Sequence, residues 1–255
     1  MPTQCPTDRI TTAVSGAPGN GRYRRLPHAA RRRAAAVTSA VVVAMSALLI
    51  PIAPIQTPTA AAAPCPDVEV VFARGTGEPP GVGPTGQAFV DALGARIGGK
   101  TLGVYPVNYP ASSDWPTGAE GIRDAGVHVV SMAATCPQTK MVLGGYSQGA
   151  AVMGFVTSAA VPDGVDPATV PKPLQPEVAD NVAAVVLFGK PNARAMNLLG
   201  EPQVVIGPLY QEKTIQLCVA NDPICSDGLE FAAHDRYIQN GTIDQGAAFA
   251  ADRLS

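Results

Sequence analysis

A serine lies in the middle of a short glycine-bounded motif, since residues 145–149 read Gly-Tyr-Ser-Gln-Gly. This G-x-S-x-G spacing is typical of a serine nucleophile on a sharp turn between a strand and a helix. Glycines let such a turn close without a clash, and the N–H groups at the helix start can stabilise a developing oxyanion. The motif therefore predicts nucleophilic catalysis by Ser147, although a serine that only caps a helix would read the same way.

A serine hydroxyl is a weak nucleophile at neutral pH and needs a base, which is most often a histidine. The chain has three histidines. His28 lies in the N-terminal segment, and His128 lies in a helical stretch before the motif, where an exposed or locally bonded side chain is expected. Where such a serine follows a strand of an α/β sheet, the acid and then the histidine come later in the chain. His234 is the histidine that follows Ser147, and elimination makes it the predicted base.

The carboxylate that orients His234 has to lie between Ser147 and His234 in that order. The residues that satisfy this condition are Asp163, Asp166, Glu177, Asp180, Glu201, Glu212, Asp222, Asp227 and Glu230. Asp222 is preferred because it follows an apolar run and lies between Cys218 and Cys225, where a disulfide would hold it in register. A simple turn at residues 221–223 remains the alternative.

Strand-like and helix-like segments alternate around these residues. Short apolar runs predict strands at Val68–Ala73, Thr101–Val107, Lys140–Leu143, Val182–Phe188 and Thr214–Val219. Helical spacing predicts helices at Gln87–Ile97, Gly118–Ala134, Gln148 to about Ala160, and Thr242–Leu254. Residues 161–180 contain five prolines and are predicted to form a surface excursion. The alternation predicts an α/β fold, in which helices cover both faces of a mostly parallel sheet.

The composition excludes several classes of protein. Of the 255 residues, 46% are hydrophobic and 15% are charged, which excludes a disordered polyelectrolyte and a long coiled coil. Residues 1–63 carry seven arginines and one aspartate, whereas the remainder has a net charge of −8. An acidic body without a basic stripe argues against a nucleic-acid partner.

The first 63 residues have the order of a secretory signal. A basic stretch is followed by the apolar run Ala34–Ile50 and then by small residues at 60–63, so removal near Ala62 or Ala63 is predicted. The alternative is a membrane anchor, but the run is short for a span that needs about 20 apolar residues. We expect residues 64–255 to form one secreted domain, extracellular or associated with the cell wall.

The cysteines support an exported protein. Cys5 belongs to the leader, and the remaining four are Cys65, Cys136, Cys218 and Cys225. An even number in an exported chain predicts two disulfides, for which three pairings are open. The spacing lacks CxxC pairs and histidine clusters, so we expect no metal site, and the predicted chemistry requires no cofactor.

Three segments together resemble the cutinase family, in particular its bacterial cutinase-like branch. They are Ala-Arg-Gly-Thr at 73–76, Gly-Gly-Tyr-Ser-Gln-Gly-Ala at 144–150, and Asp-Pro-Ile-Cys at 222–225 followed by His234. The resemblance extends from Cys65 to about Leu254. It implies an α/β-hydrolase-type three-layer sandwich with a central five-stranded parallel sheet, helices on both faces and no large lid.

The same resemblance implies roles for individual residues. It implies a triad of Ser147, Asp222 and His234, and an oxyanion hole formed by the backbone N–H groups of Thr76 and Gln148. It also implies disulfides that pair Cys65 with Cys136 and Cys218 with Cys225. Thr76 stands where fungal relatives usually have serine. Threonine keeps the hydroxyl but carries it on a stiffer, branched side chain.

By this resemblance, the function is a secreted serine esterase or lipase that cleaves short- to medium-chain esters. Val82, Leu229 and Phe231 would line an apolar cleft for the acyl chain, although Phe231 would equally suit the core. We expect a monomer that makes brief contact with lipid or cell-envelope surfaces. The alternatives are an acyltransferase or thioesterase with the same triad, and a non-catalytic cell-envelope binding protein.

Overall fold

The computed structural model of the protein describes residues 64–255. The predicted leader and its cleavage site, with Cys5 and His28, lie outside the described residues. Five strands form one sheet in the order β2-β1-β3-β4-β5, and all four neighbouring pairs are parallel. The strands are β1 (Val68–Ala73), β2 (Leu102–Pro106), β3 (Lys140–Tyr146), β4 (Val182–Phe188) and β5 (Thr214–Leu217). The predicted parallel α/β architecture is confirmed.

Helices cover both faces of this sheet. They are α1 (Gly83–Gly94), α2 (Gly118–Thr135), α3 (Gln148–Val156), α4 (Ala193–Leu199), α5 (Pro208–Gln211) and α6 (Thr242–Ala251). Helices α1 and α6 pack on one face around Phe72, Phe89 and Phe188, whereas α2 and α3 pack on the other around Leu143 and Met153. None of the helices within residues 64–255 is both long and apolar enough to cross a membrane.

The strands were predicted closely because buried parallel strands are nearly continuous apolar runs. The main difference is β3, which extends three residues past Leu143 through Gly144 and Gly145. These glycines are paired with Phe72 and Ala73 of β1. A Cβ at Gly144 would lie 2.6 Å from the ring of Phe72, so the glycine that suggested a strand end instead makes room for a core side chain.

The helix boundaries differ more. Helix α1 begins at Gly83, earlier than predicted, with a proline in its first turn, and α3 ends at Val156 rather than near residue 160. The excursion at 161–180 is confirmed as mostly irregular, with a 3₁₀ helix at Pro176–Asn181. Helices α4 and α5 were not predicted, although α4 has an Asn192 cap and a left-handed Gly200 at its end.

The strand order determines where a ligand can bind. From β1 the chain first adds β2 on one side and later β3 on the other, so the direction of winding reverses between β1 and β3. In open parallel sheets, ligands bind at the carboxyl ends of the strands beside such a reversal. Four segments meet there: the loop after β1, the motif turn after β3, and the segments that follow β4 and β5.

Candidate active site

Ser147 occupies the turn between β3 and α3 in a strained conformation. Its φ of 54° and ψ of −118° are unusual for a residue with a Cβ, and such strain costs about 1–3 kcal/mol. Its backbone N–H donates to the Phe188 carbonyl of β4 at 2.9 Å. The tight turn needs both motif glycines, because a Cβ at Gly145 would lie 2.3 Å from the Gly149 carbonyl oxygen, and a Cβ at Gly149 would lie 2.0 Å from the Ala73 carbonyl oxygen.

His234 reaches the serine from a 3₁₀ helix at Phe231–Asp235 that sequence reasoning did not predict. Its Nε2 lies 2.8 Å from the Ser147 Oγ. Tyr146, the residue before the serine, donates its hydroxyl to the His234 carbonyl at 2.7 Å and stacks on the imidazole with ring centroids 5.1 Å apart. The motif strand therefore orients the histidine as well as the serine.

Asp222 completes a hydrogen-bonded series. Its Oδ2 lies 2.7 Å from the His234 Nδ1, and its Oδ1 accepts from the Ile224 N–H at 2.9 Å. The side chain has no solvent exposure. Tyr237 donates its hydroxyl to the same Oδ2 at 2.6 Å, so the buried carboxylate is held by three donors. Burial, followed by the hydrogen bond to Asp222, raises the pKa of Tyr237, which keeps its hydroxyl a donor.

A disulfide closes the loop that carries Asp222. Cys218 is bonded to Cys225, and Cys65 is bonded to Cys136, as the resemblance implied. The Cys225 Sγ lies 3.2 Å from the Asp222 Oδ2 as a packing contact, since a bonded sulfur carries no hydrogen. Cys218, Asp222 and Cys225 bring metal-ligand atom types within 4.8 Å of one another, but both sulfurs are committed to the disulfide.

Removal of the two disulfides should affect stability and activity to different degrees. Cys65–Cys136 spans 71 residues, and its loss as Cys65→Ser/Cys136→Ser should lower the free energy of unfolding by about 4 kcal/mol. Cys218–Cys225 spans seven residues, so Cys218→Ser/Cys225→Ser should cost only about 2 kcal/mol, but it loosens the Asp222 loop and should lower kcat/KM at least tenfold. Denaturant unfolding and ester hydrolysis at 25 °C measure both effects. Equal activity in the two double variants would contradict the bracing role.

The loop after β1 lies against the motif turn. A Cβ at Gly149 would also lie 2.4 Å from the Arg74 carbonyl oxygen, so this loop touches the first turn of α3. Arg74 is buried and donates to the Glu78 carbonyl at 2.9 Å and to the Tyr109 carbonyl at 2.6 Å. Thr76 is exposed between these anchored residues. Arg74 thus fixes the loop that carries the predicted oxyanion donor.

Glu78 closes the same loop from the other side. Its Oε2 accepts from the Gly75 N–H at 2.6 Å. Burial raises the pKa of Glu78, although the Gly75 N–H and the Arg74 guanidinium oppose that effect. The loop is therefore held by a carboxylate whose own solvation is reduced.

Gln148, the other predicted oxyanion residue, is the first residue of α3 and is 1% exposed. Its backbone N–H belongs to the first helical turn, where such groups have no partner within the helix. Its side-chain Nε2 donates to the Ser112 carbonyl at 2.9 Å, whereas its buried Oε1 accepts no hydrogen bond.

The three residues predicted for an acyl cleft have very different exposures. Val82 is 8% exposed and belongs to the core under α1. Leu229 and Phe231 are 81% and 71% exposed and precede His234 in the chain. Phe231 therefore lies outside the core, and the two exposed side chains form an apolar edge next to the histidine segment.

Several residues around the site were not found from the sequence. Tyr237 follows His234 by three residues, and Tyr146 lies inside the motif, which are the only local signals they offer. Gly189 follows β4 with a φ of 58°, and a Cβ there would lie 3.0 Å from the His234 Cε1. His128, expected to be exposed or locally bonded, instead pairs its Nε2 with the Glu69 Oε2 of β1 at 2.8 Å.

A parallel sheet with helices on both faces, in which a strained serine follows the central strand, defines an α/β-hydrolase-type fold. Its serine, imidazole and carboxylate lie in one hydrogen-bonded series at the carboxyl edge of the sheet.

Comparison with known proteins gives the family. The family model described as Cutinase matches residues 64–254, and the chain belongs to this family. A probable carboxylesterase, Culp5 of Mycobacterium tuberculosis, is 60% identical over 168 residues, which cover 66% of this chain and 96% of that protein. The phospholipase Culp4 of the same organism is 46% identical over 234 residues, which cover 91% of this chain and 99% of that protein.

A solved structure from the same family also resembles this chain. A Trichoderma reesei cutinase in complex with a C11Y4 phosphonate inhibitor is 33% identical, with a TM-score of 0.54. The match covers 75% of this chain and 78% of the cutinase chain.

Proposed function

We propose that the protein is a secreted serine carboxylic ester hydrolase that works through an acyl-enzyme formed on Ser147. The observation that carries this proposal is the series from the Ser147 Oγ to the His234 Nε2 at 2.8 Å and from the His234 Nδ1 to the Asp222 Oδ2 at 2.7 Å. Carboxylesterase and phospholipase relatives support ester bonds as the class of bond cleaved.

Acylation begins when the His234 Nε2 takes the proton of the Ser147 hydroxyl as its oxygen attacks the ester carbonyl carbon. The carbonyl π electrons move to oxygen and give a tetrahedral oxyanion. Collapse of this intermediate breaks the bond to the alcohol, which leaves with the proton from His234. Water then repeats the sequence on the acyl-enzyme, and the acid is released.

Two backbone donors are proposed to stabilise the oxyanion, namely the N–H groups of Thr76 and Gln148. The anchored loop after β1 supports the first, and the free N–H groups at the start of α3 support the second. One such donor contributes about 3–4 kcal/mol to transition-state stabilisation in comparable hydrolases.

Asp222 is proposed to hold His234 in the tautomer that can accept the serine proton, and to stabilise the imidazolium that forms. Its burial strengthens this interaction, because water does not screen the pair. The hydroxyl of Tyr237 satisfies the same oxygen and keeps the carboxylate in place.

Secretion and the substrate surface are also part of the proposal. Two disulfides in the described domain support an oxidising compartment, and the order of residues 1–63 supports export. Leu229 and Phe231 present apolar surface beside His234, which suits brief contact with a lipid or cell-envelope surface.

A covalent label tests this function directly. An alkyl fluorophosphonate should react with one residue, and the intact mass should rise by one phosphonyl group, because the Ser147 oxygen displaces fluoride. The Ser147→Ala variant should remain unlabelled, whereas Ser131→Ala, which changes an exposed serine on α2, should be labelled at the rate of the wild type. An unlabelled wild type would favour the non-catalytic binding protein.

The other two alternatives are separated by their products. A thioesterase would show a higher kcat/KM on an acyl thioester than on the matched oxygen ester. An acyltransferase would form ester with an added sugar or lipid alcohol faster than it forms free acid. We expect free acid from oxygen esters as the main product.

A further inference from the structure

An apolar cavity of about 370 Å³ lies beside the motif helix, away from the exposed edge at Leu229 and Phe231. Gln148, at the start of α3, is part of its wall. Its other walls include Trp115 before α2, Phe155 of α3 and Leu174 of the proline-rich excursion. This volume lies within the range of about 300–1,000 Å³ found for small-molecule sites.

The cavity follows two helices that start at the catalytic edge of the sheet. It is lined by one side of α2 between Gly118 and Gly126 and by one side of α3 between Gln148 and Val156. Each stretch advances eight residues, which is about 12 Å along a helix axis. The cavity is therefore an elongated channel whose upper end adjoins the residue after Ser147.

The roof of this channel is the proline-rich excursion at residues 161–180, for which the sequence left open a surface loop or a rim over the cleft. The residues of this roof that line the channel are Pro162, Val165, Val170, Pro171 and Leu174. Prolines fix their own backbone torsion and restrict the residue before them, which gives the roof a defined shape without regular secondary structure. At the far end, a Cβ on Gly126 would lie 3.9 Å from the Leu174 Cδ2.

The channel and the catalytic histidine lie on opposite faces of the sheet. Ala233 and Tyr237, which flank His234, belong to the core that contains α1 and α6. Val152 and Val156, which line the channel, belong to the core that contains α2 and α3. Since His234 must protonate the departing alcohol, the alcohol belongs on its side, and the opposite side is left for the acyl chain.

We propose that this channel, rather than the edge at Leu229 and Phe231, binds the acyl chain of the substrate and selects its length. The inference rests on the proposed function of Ser147. The volume of the channel suits on the order of ten methylene groups, if each takes roughly the 30 Å³ of a water molecule. Each methylene moved from water into an apolar site strengthens binding roughly fourfold. Gly126 and Leu174 end the channel and set the limit.

Substitution at the far end tests the proposal. Gly126→Phe fills the channel from a helical position with room for a Cβ, and Val127→Phe is the matched control, because Val127 is 66% exposed on the same helix. The measurement is the ratio of kcat/KM for 4-nitrophenyl decanoate to that for 4-nitrophenyl butyrate. Gly126→Phe should lower this ratio at least tenfold, Gly126→Leu should lower it less, and Val127→Phe should leave it unchanged.

A binding measurement does not depend on catalysis. Trp115 is the single tryptophan of the chain and lines the channel, so its fluorescence reports what enters. In the Ser147→Ala background, decanoic acid should change the Trp115 emission in a saturable way. Adding Gly126→Phe should abolish the change, and adding Val127→Phe should not.

The outcomes separate the two proposals. If decanoic acid binds saturably but the protein hydrolyses no ester, the proposed function is rejected and the channel remains an acyl-chain site. An unchanged decanoate-to-butyrate ratio in both Gly126 variants, or emission indifferent to decanoic acid, would overturn the channel as the acyl site. If Gly126→Phe instead impairs decyl butyrate and spares ethyl decanoate, the channel holds the alcohol and the assignment is wrong.

Discussion

Ser147→Ala should lower kcat for ester hydrolysis by about 10⁴–10⁶-fold, the loss seen when other serine hydrolases lose their nucleophile. The expectation follows from the position of the Ser147 Oγ, 2.8 Å from the one imidazole nitrogen that can take its proton. No other hydroxyl is hydrogen-bonded to a ring nitrogen of His234 in the part of the chain that the structure describes. KM should change little, because the proposed acyl channel and the proposed oxyanion donors are unaltered.

The strained backbone of Ser147 adds a second readout to this experiment. Alanine keeps a Cβ at a φ of 54°, whereas glycine relieves the strain. Both Ser147→Ala and Ser147→Gly should be inactive, but Ser147→Gly should unfold at the higher temperature. Retention of most of the activity in either variant would disprove the nucleophile, and loss of activity in the Ser131→Ala control would indicate a less specific effect.

Asp222→Asn should lower kcat by about 10⁴-fold, as seen for the buried aspartate of another serine hydrolase triad. An asparagine amide group would donate to the His234 Nδ1, where the carboxylate accepts. This favours the tautomer with its proton on Nε2, which cannot take the serine proton. The amide also carries no charge to stabilise the imidazolium. Activity should recover little at higher pH, because the defect is in the tautomer.

Asp227→Asn is the matched control for this variant, since Asp227 is exposed in the same loop and was itself a candidate by chain order. It should retain the activity of the wild type. The double variant Ser147→Ala/Asp222→Asn should be no slower than Ser147→Ala alone, because residues that act as one unit have non-additive effects. A further large loss in the double variant would show that Asp222 acts independently of the serine.

The sequence predicted the elements of the fold that depend on local pattern. The strands Val68–Ala73 and Val182–Phe188 were predicted to the residue, because strands buried on both faces are continuous apolar runs. Ser147 and His234 followed from a motif and from chain order. Whether they are catalytic remains a prediction, but the structure does bring their side chains into contact.

What the sequence did not predict depends on contacts between distant segments. The hydroxyl of Tyr237 bonds to Asp222, and Gly189 leaves space for the imidazole, yet neither forms a pattern with its chain neighbours. The channel is the clearest case. Its walls come from α2, α3 and a proline-rich stretch without regular structure, so no single segment indicates a cavity.

The short disulfide beside Asp222 has a consequence for the producing cell. In a reducing cytosol its two sulfurs would stay thiols. A precursor still inside the cell would lack the disulfide that holds the Asp222 loop, and we expect it to hydrolyse esters slowly. If the protein is exported as proposed, full activity would come only after the disulfide has formed outside the cell.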